Sequence, residues 1–188
     1  MRKIAVLEHV SLDGYIAGRN GEMDWIIYDE QIQGYVTGLL ETTDLVLYGR
    51  TTYQMMEGFW PKAAEDPNVS AYHAHHARWI NRTQKIVFSG SLQQAHWENT
   101  RLIASNIEAA LTRLKNQAGN DIVVIGSASI VHLLLQSGLI DEYWLTVNPV
   151  VLGGGLPLFR DLKSMTRLRL ASSKEFDSGV IGLRYAAR

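Results

Sequence analysis

The chain has 188 residues, of which 46% are hydrophobic, and a formal net charge of −1 at pH 7. This length suits one α/β domain over residues 1–188, and a near-neutral charge without a lysine and arginine cluster argues against a nucleic-acid partner. Because there is no cysteine, disulfides and thiolate metal sites are excluded.

The N-terminal segment predicts a strand and a turn. Its apolar stretch is too short for a signal peptide, and no run in the chain approaches the ~20 apolar residues of a membrane span. We therefore expect a cytoplasmic protein with no membrane partner. Residues 3–10 predict the first strand, and Asp13 follows as a turn residue or, in a cleft, as a carboxylate for a substrate. Trp25 is either a packing anchor or a wall against a flat ligand.

The next segment predicts two helices around a buried strand. Asp29 and Glu30 favour a helix N-terminus, with apolar residues at helical spacing after them. Residues 44–48 predict a strand, and the helix that follows is expected to end at residues 59–61. His73, His75 and His76 are expected to be surface histidines of another helix. We expect no metal site, because a third ligand is not evident.

The second half of the chain repeats strand, turn and helix. Residues 85–88 predict a strand, 97–103 an edge strand, and Asn106 is expected to cap a helix. Residues 122–125 predict a buried strand, and Ser127 or Ser129 is expected to cap the helix that follows Gly126. A strand at 141–147, the Gly153-Gly154-Gly155 loop and a hairpin over 167–187 complete the mixed sheet. The three glycines let this loop approach a ligand or another backbone.

Three predicted strands end in a glycine turn: Gly49-Arg50-Thr51-Thr52, Ser89-Gly90 and Gly126-Ser127-Ala128. The carboxyl ends of strands in an open sheet lie along one edge, where ligands bind. Two helix N-termini, an arginine and hydroxyl groups would suit a ligand with several phosphates. The GxGxxG and Walker patterns are absent, so neither the common dinucleotide fold nor a P-loop is supported.

At these residues the chain resembles the dihydrofolate reductase superfamily, and most closely the branch with the reductase domain of bacterial riboflavin biosynthesis, the RibD C-terminal domain. The resemblance covers essentially the whole chain. It rests on SLDGYIAG, LYGRTTY, KIVFS, VVIGSASIVHLLLQSGLIDEYWLTVNPVVLGGGLPLF and the closing hairpin. It implies a three-layer α/β/α fold with a mostly parallel mixed sheet and a C-terminal antiparallel hairpin. It also implies NADPH as hydride donor and a homodimer, for which Tyr143, Trp144 and the hairpin offer apolar surface.

By position, the resemblance implies a cofactor site in four parts. The turn that holds the 2′-phosphate and pyrophosphate matches Gly49, Arg50, Thr51 and Thr52, and Ser89 lies beside the adenosine. The second pyrophosphate turn matches Gly126, Ser127, Ala128, Ser129 and Ile130. Leu7 and Ala17 would line the nicotinamide pocket. The chain departs from folate reductases at Gly126-Ser127, where they have paired glycines, and near Gln33, where they carry a carboxylate.

The resulting hypothesis is an NADPH-dependent reductase of a small heterocyclic or carbonyl substrate, resembling 5-amino-6-(5-phosphoribosylamino)uracil reductase. Asp13 is the first candidate for the proton donor, and Asp29 or Glu30 is the second. Trp25, Gly153 and Gly154 are candidate substrate-binding residues. Two alternatives stay open: a dihydrofolate reductase, and a non-catalytic NADPH-binding regulatory module.

Overall fold

The structure, a computed structural model, describes residues 1–162 and 164–187. Within these residues, strands form an eight-stranded sheet in the order β5-β4-β3-β6-β1-β7-β10-β9, and β2 pairs with β8 separately. The strands are β1 (Ile4–Ser11), β2 (Tyr15–Ala17), β3 (Thr43–Gly49), β4 (Gln84–Phe88), β5 (Thr100–Ile103), β6 (Asp121–Ile125), β7 (Glu142–Asn148), β8 (Leu156–Pro157), β9 (Leu168–Glu175) and β10 (Ile181–Ala187). The helices are α1 (Glu30–Leu40), α2 (Arg50–Ala63), α3 (Ala71–Arg82), α4 (Ile107–Asn116) and α5 (Ala128–Gln136).

Six neighbouring strands, from β5 to β7, run parallel, while β10 is antiparallel to both β7 and β9. The central strands are buried on both faces because helices cover each side, as parallel sheets require. Along β1, Val6 packs into the core beneath α4 and α5, while Leu7 packs into the core beneath α1, α2 and α3. The predicted mixed α/β fold with a C-terminal antiparallel pair is confirmed.

Several local expectations were wrong. Helix α2 does not end at residues 59–61 but continues through Pro61 to Ala63. Asn106 precedes α4 in a left-handed conformation with φ 53°, and its side chain makes no capping hydrogen bond. Tyr143 is 1% exposed and therefore offers no surface to a second subunit. The structure contains one chain, so the homodimer stays a prediction.

None of the helices in residues 1–162 and 164–187 combines the length and the apolar character that crossing a membrane would require.

Candidate functional site

A cavity of about 810 Å³ lies at the carboxyl ends of the central strands. We divide its wall into two parts. The turn half consists of residues at the ends of β3, β4 and β6 or just after them: Gly49, Arg50, Thr51, Thr52, Ser89, Ser91, Gly126, Ser127, Ala128 and Ser129. The aromatic half consists of side chains from the loop before α1 and from α2 and α3: Met23, Ile26, Tyr28, Met55, Met56, Trp60, His73 and His76.

Two helices begin in the turn half. Gly49 precedes α2 and Ser127 precedes α5, and neither residue caps its helix with a side chain. No capping side chain therefore competes with an anion for the first N–H groups of these helices, and the helix dipoles favour negative charge there. On α5 the Ile130 N–H is already engaged, since it donates to the Ser127 carbonyl at 2.8 Å. Arg50 adds a guanidinium group at the same edge, where its Nη1 donates to Ser91 Oγ at 2.9 Å.

The two turns contact each other directly. The Gly49 N–H donates to Ser127 Oγ at 3.0 Å, so the hydroxyl expected to cap α5 holds the other turn instead. Ser127 cannot cap because its own backbone is left-handed, with φ 69°. Gly126 has φ 61°, and a Cβ built on it would lie 3.0 Å from Thr52 Cγ2. A glycine is needed at this position for both its conformation and its space.

The aromatic half is packed from rings and thioethers. Trp60 lies with its ring centroid 4.3 Å from that of His76, and its Nε1 donates to Met56 Sδ at 3.0 Å. Tyr28 packs edge-on against His9, with centroids 5.2 Å apart. His73 and His76 thus line the cavity, and the expectation that both are surface histidines was wrong. On that helix, His75 is exposed.

Burial lowers the pKa of two histidines in this region. It lowers the pKa of His9 to about 4, and with smaller effects of His73 and His75 it lowers the pKa of His76 to about 4. Tyr28 is half-buried, and its hydroxyl shares a hydrogen bond of 2.6 Å with that of Tyr72. The Tyr28 hydroxyl and the imidazoles of His9 and His76 therefore present polar atoms without formal charge at neutral pH.

Glu8, on the central strand β1, is a buried carboxyl group that lines the cavity. It is 4% exposed, and its Oε1 has no hydrogen-bond partner among the described residues. Burial raises the pKa of Glu8 well above its usual range. An unpaired buried carboxylate is costly, so the protonated form is favoured at this position. Sequence reasoning missed Glu8, although an acidic residue inside an apolar strand is a visible signal.

The family of the chain follows from its sequence relatives. The RibD C-terminal domain family matches residues 2–182, which is nearly the whole chain. This chain belongs to the RibD C-terminal domain family. YyaP of Bacillus subtilis (strain 168) is 36% identical over 187 residues, covering 98% of this chain and 94% of YyaP. YwjB of the same organism is 34% identical over 181 residues, covering 95% of each chain.

Solved structures share the fold of this RibD C-terminal domain protein. A pyrimidine reductase-like protein of Corynebacterium diphtheriae has a TM-score of 0.67 at 16% identity, covering 100% of this chain and 92% of that one. The diaminohydroxyphosphoribosylaminopyrimidine deaminase/5-amino-6-(5-phosphoribosylamino)uracil reductase of Thermotoga maritima has a TM-score of 0.69 at 16% identity. All of this chain aligns with 57% of the Thermotoga chain.

Most residues that the family resemblance assigned to the cofactor lie together in the cavity. Leu7 and Ala17 line it along with the residues of the turn half, which the sequence predicted except for Ser91. Ile130 does not line the cavity, because its side chain packs into the core beneath α5. That these residues bind a cofactor stays a prediction.

The candidate proton donor Asp13 lies outside the cavity of this RibD C-terminal domain protein. It is exposed, and it accepts hydrogen bonds from Ser11 Oγ at 2.7 Å and from the backbone N–H of Gly153 at 2.8 Å. These hydrogen bonds, Ser11 first, lower the pKa of Asp13. This position supports a role in holding the glycine loop and does not support proton donation. Asp29 accepts from the Ile32 N–H and caps α1, and neither Asp29 nor Glu30 lines the cavity.

The candidate substrate residues also lie outside the cavity. Trp25 Nε1 donates to the Glu22 carbonyl at 3.0 Å within its own loop, and its position does not support a wall of this cavity. Arg19 packs against Gly154, and Gly155 packs so closely that an added Cβ would lie 2.1 Å from the Ala17 carbonyl oxygen. Of the two possibilities for this loop, the structure supports an approach to another backbone.

Proposed function

We propose that this protein is an NADPH-dependent reductase of a small heterocyclic or carbonyl substrate. The observation that carries the proposal is the turn half, where two uncapped helix N-termini and Arg50 line one cavity. Membership of the RibD C-terminal domain family supports the same reaction class.

The turn half fits a dinucleotide with an additional phosphate. Glycine at Gly126 leaves open the space beside Thr52 that a Cβ would fill. The first-turn N–H groups of α2 and α5 would hold the pyrophosphate. Arg50 and Thr52 would hold the 2′-phosphate that distinguishes NADPH from NADH, since a guanidinium binds phosphate in a bidentate manner. Leu7 and Ala17, which are 3% and 7% exposed, would line the nicotinamide pocket.

The bound cofactor would supply the hydride, so this chain needs to orient the substrate and provide a proton. Glu8 is the candidate proton donor because it lines the cavity as a carboxyl group without a hydrogen-bond partner at Oε1. Transfer of its proton to the nitrogen or oxygen of the reduced double bond would leave a carboxylate that water reprotonates. The raised pKa favours the acid form of the group, which is the form that can donate a proton.

The two alternative functions have less support. Folate reductases carry a carboxylate near the position of Gln33, whereas the Gln33 side chain donates to the Tyr28 carbonyl at 3.2 Å. A regulatory module that binds NADPH without turnover would require the turn half alone. The second, aromatic half of the cavity favours a reductase with a substrate site. From the near-neutral charge and the lack of a long apolar run we propose no nucleic-acid or membrane partner and a cytoplasmic setting. From the family resemblance we propose a homodimer.

The test is a fluorescence titration of the wild type and Arg50→Ala with NADPH and NADH. The wild type is expected to prefer NADPH, and the variant is expected to lose about 1.5–3 kcal/mol of NADPH binding, roughly ten- to hundredfold, with NADH binding little changed. Arg78→Ala, at an exposed arginine on α3, is the matched control. Equal binding of both cofactors by the wild type would contradict the proposal.

A further inference from the structure

The aromatic half carries no cation that could pair with a phosphate group. Its members are three methionines, an isoleucine, a tyrosine, a tryptophan and two histidines. Among the described cavity residues, the arginines are Arg50 and Arg160, and lysine is absent. Arg50 belongs to the turn half. Arg160 donates from Nε to His132 Nδ1 at 3.1 Å, and His132 lies on α5, across the sheet from α2 and α3.

The histidines at this half do not compensate for the missing cations. Desolvation lowers the pKa of His76, and of His9 beside it, to about 4, and the His73 ring is already engaged, with its Nδ1 2.7 Å from Ser70 Oγ. The α3 N-terminus is also occupied, since Ser70 Oγ accepts from the His73 N–H at 3.2 Å. A phosphate in this half would lose its hydration without gaining charged partners, which is unfavourable.

The side chains that are present favour a flat apolar ligand. Trp60 and His76 lie on neighbouring helices with their rings 4.3 Å apart, and Met55 and Met56 supply adaptable thioethers beside them. Such walls stack on planar conjugated systems and exclude water. Tyr28, His9 and Glu8 provide a few polar atoms that can orient a carbonyl or ring nitrogen, as is typical of small-molecule sites.

We propose that the aromatic half binds a flat, uncharged aromatic or conjugated compound that carries no phosphate group. This inference rests on the proposed reductase function and narrows its substrate class. The substrate proposed for this chain therefore differs from the phosphorylated pyrimidine named for the Thermotoga protein. The ribosyl phosphate of that pyrimidine would have no cationic partner in the aromatic half.

A matched pair of small probes tests the proposal by calorimetry: 1-naphthol and 1-naphthyl phosphate, titrated into the protein with and without saturating NADP⁺. We expect naphthol to bind at least tenfold more tightly than its phosphate ester. Tighter or equal binding of the ester would overturn the inference. Failure of NADP⁺ to bind while naphthol still binds would instead contradict the proposed reductase.

Three variants test where the probe binds. Trp60→Leu is expected to weaken naphthol binding at least fivefold and to leave NADP⁺ binding unchanged, whereas His75→Ala, at an exposed position of α3, leaves both unchanged. Met55→Lys adds a cation to the aromatic half and is expected to strengthen binding of the phosphate ester. Unchanged naphthol binding in Trp60→Leu would place the ligand elsewhere and overturn the assignment.

A turnover assay with NADPH tests the proposed substrate class independently of the binding measurements. Menadione, a flat neutral quinone, is expected to be reduced to its hydroquinone by NADPH and one proton. The kcat/KM for menadione should be at least tenfold higher than the kcat/KM for 5-amino-6-(5-phosphoribosylamino)uracil. The reverse order would overturn the proposed substrate class while leaving the reductase function intact.

Discussion

The two halves of the cavity are built in different ways. The turn half comes from short segments in which a strand, a glycine and a helix follow one another directly in the chain, as in Gly126 between β6 and α5. The aromatic half comes from three separated segments, the loop before α1, α2 and α3, which bring together residues as distant as Tyr28 and His76. The first is polar and contains hydrogen-bond donors, and the second is mainly apolar and aromatic. A substitution in one half should therefore leave binding in the other unchanged.

The largest expected effect is on turnover. Glu8→Gln removes the acid but keeps the shape, and the rate of reduction should fall by about 10²–10⁴-fold because general acid catalysis is lost. NADPH affinity should change little. The pH profile supplies a second measurement: in the wild type the rate should fall as pH rises through the raised pKa of Glu8, because the carboxylate cannot donate, and this limb should vanish in the variant.

Two histidines at the cavity titrate in a different range from Glu8, because burial lowers the pKa of His9 and His76 to about 4, whereas burial raises the pKa of Glu8. Glu41→Gln, at an exposed position after α1, is the control. A Glu8→Gln enzyme with the wild-type rate and pH profile would show that the proton comes from elsewhere.

The next effect should appear in cofactor affinity. Gly126→Ala is expected to weaken NADPH binding about ten- to hundredfold, since the added Cβ lies 3.0 Å from Thr52 Cγ2 and the residue has φ 61°. Gly138→Ala is a matched control: its φ is 63°, but nothing lies within 4 Å of an added Cβ. In both variants an alanine must adopt a left-handed backbone conformation, which destabilises the folded protein by roughly 1 kcal/mol. If both lost NADPH affinity equally, the contact between the turns would be unimportant.

A smaller effect is expected at the contact between the two turns. Ser127→Ala leaves the buried Gly49 N–H without its acceptor and should lower the free energy of unfolding by about 1 kcal/mol. NADPH affinity should fall a few-fold and naphthol affinity should not change. Urea denaturation and fluorescence titration measure the two quantities, with Ser137→Ala at the end of α5 as the control. No loss of stability would mean that the N–H finds another partner.

The smallest effect should come from Asp13→Asn, because Asp13 lies outside the cavity. The hydrogen bonds from Ser11 and the glycine loop lower the pKa of Asp13, so its charged form stabilises the fold above the ordinary pKa of 3.8 and this contribution is lost as pH falls through the lowered pKa. The variant should thus be less stable than the wild type at pH 7 and equally stable in strong acid. A hundredfold loss of turnover would restore Asp13 as the proton donor.

The accuracy of the predictions made from the sequence differs between the regions of the molecule. The strand and helix periodicities predicted most elements of the mixed sheet, because each depends on local burial patterns. The capping roles of Asn106 and Ser127 were mispredicted, because both residues adopt left-handed backbones that a residue type does not specify. His73 and His76 were placed on the surface because helical spacing alone does not show that α2 supplies Trp60 opposite them.

The sequence by itself determined the family, the mixed α/β sheet and the residues of the turn half, because strand, glycine and helix are adjacent in the chain and their physics is local. Only the tertiary structure decided that Glu8 is buried at the cavity, that Asp13 holds a loop outside it, and that neutral rings form the second half. Those properties depend on which distant segments exclude water from a side chain, and that is settled only when the sheet and its helices are assembled.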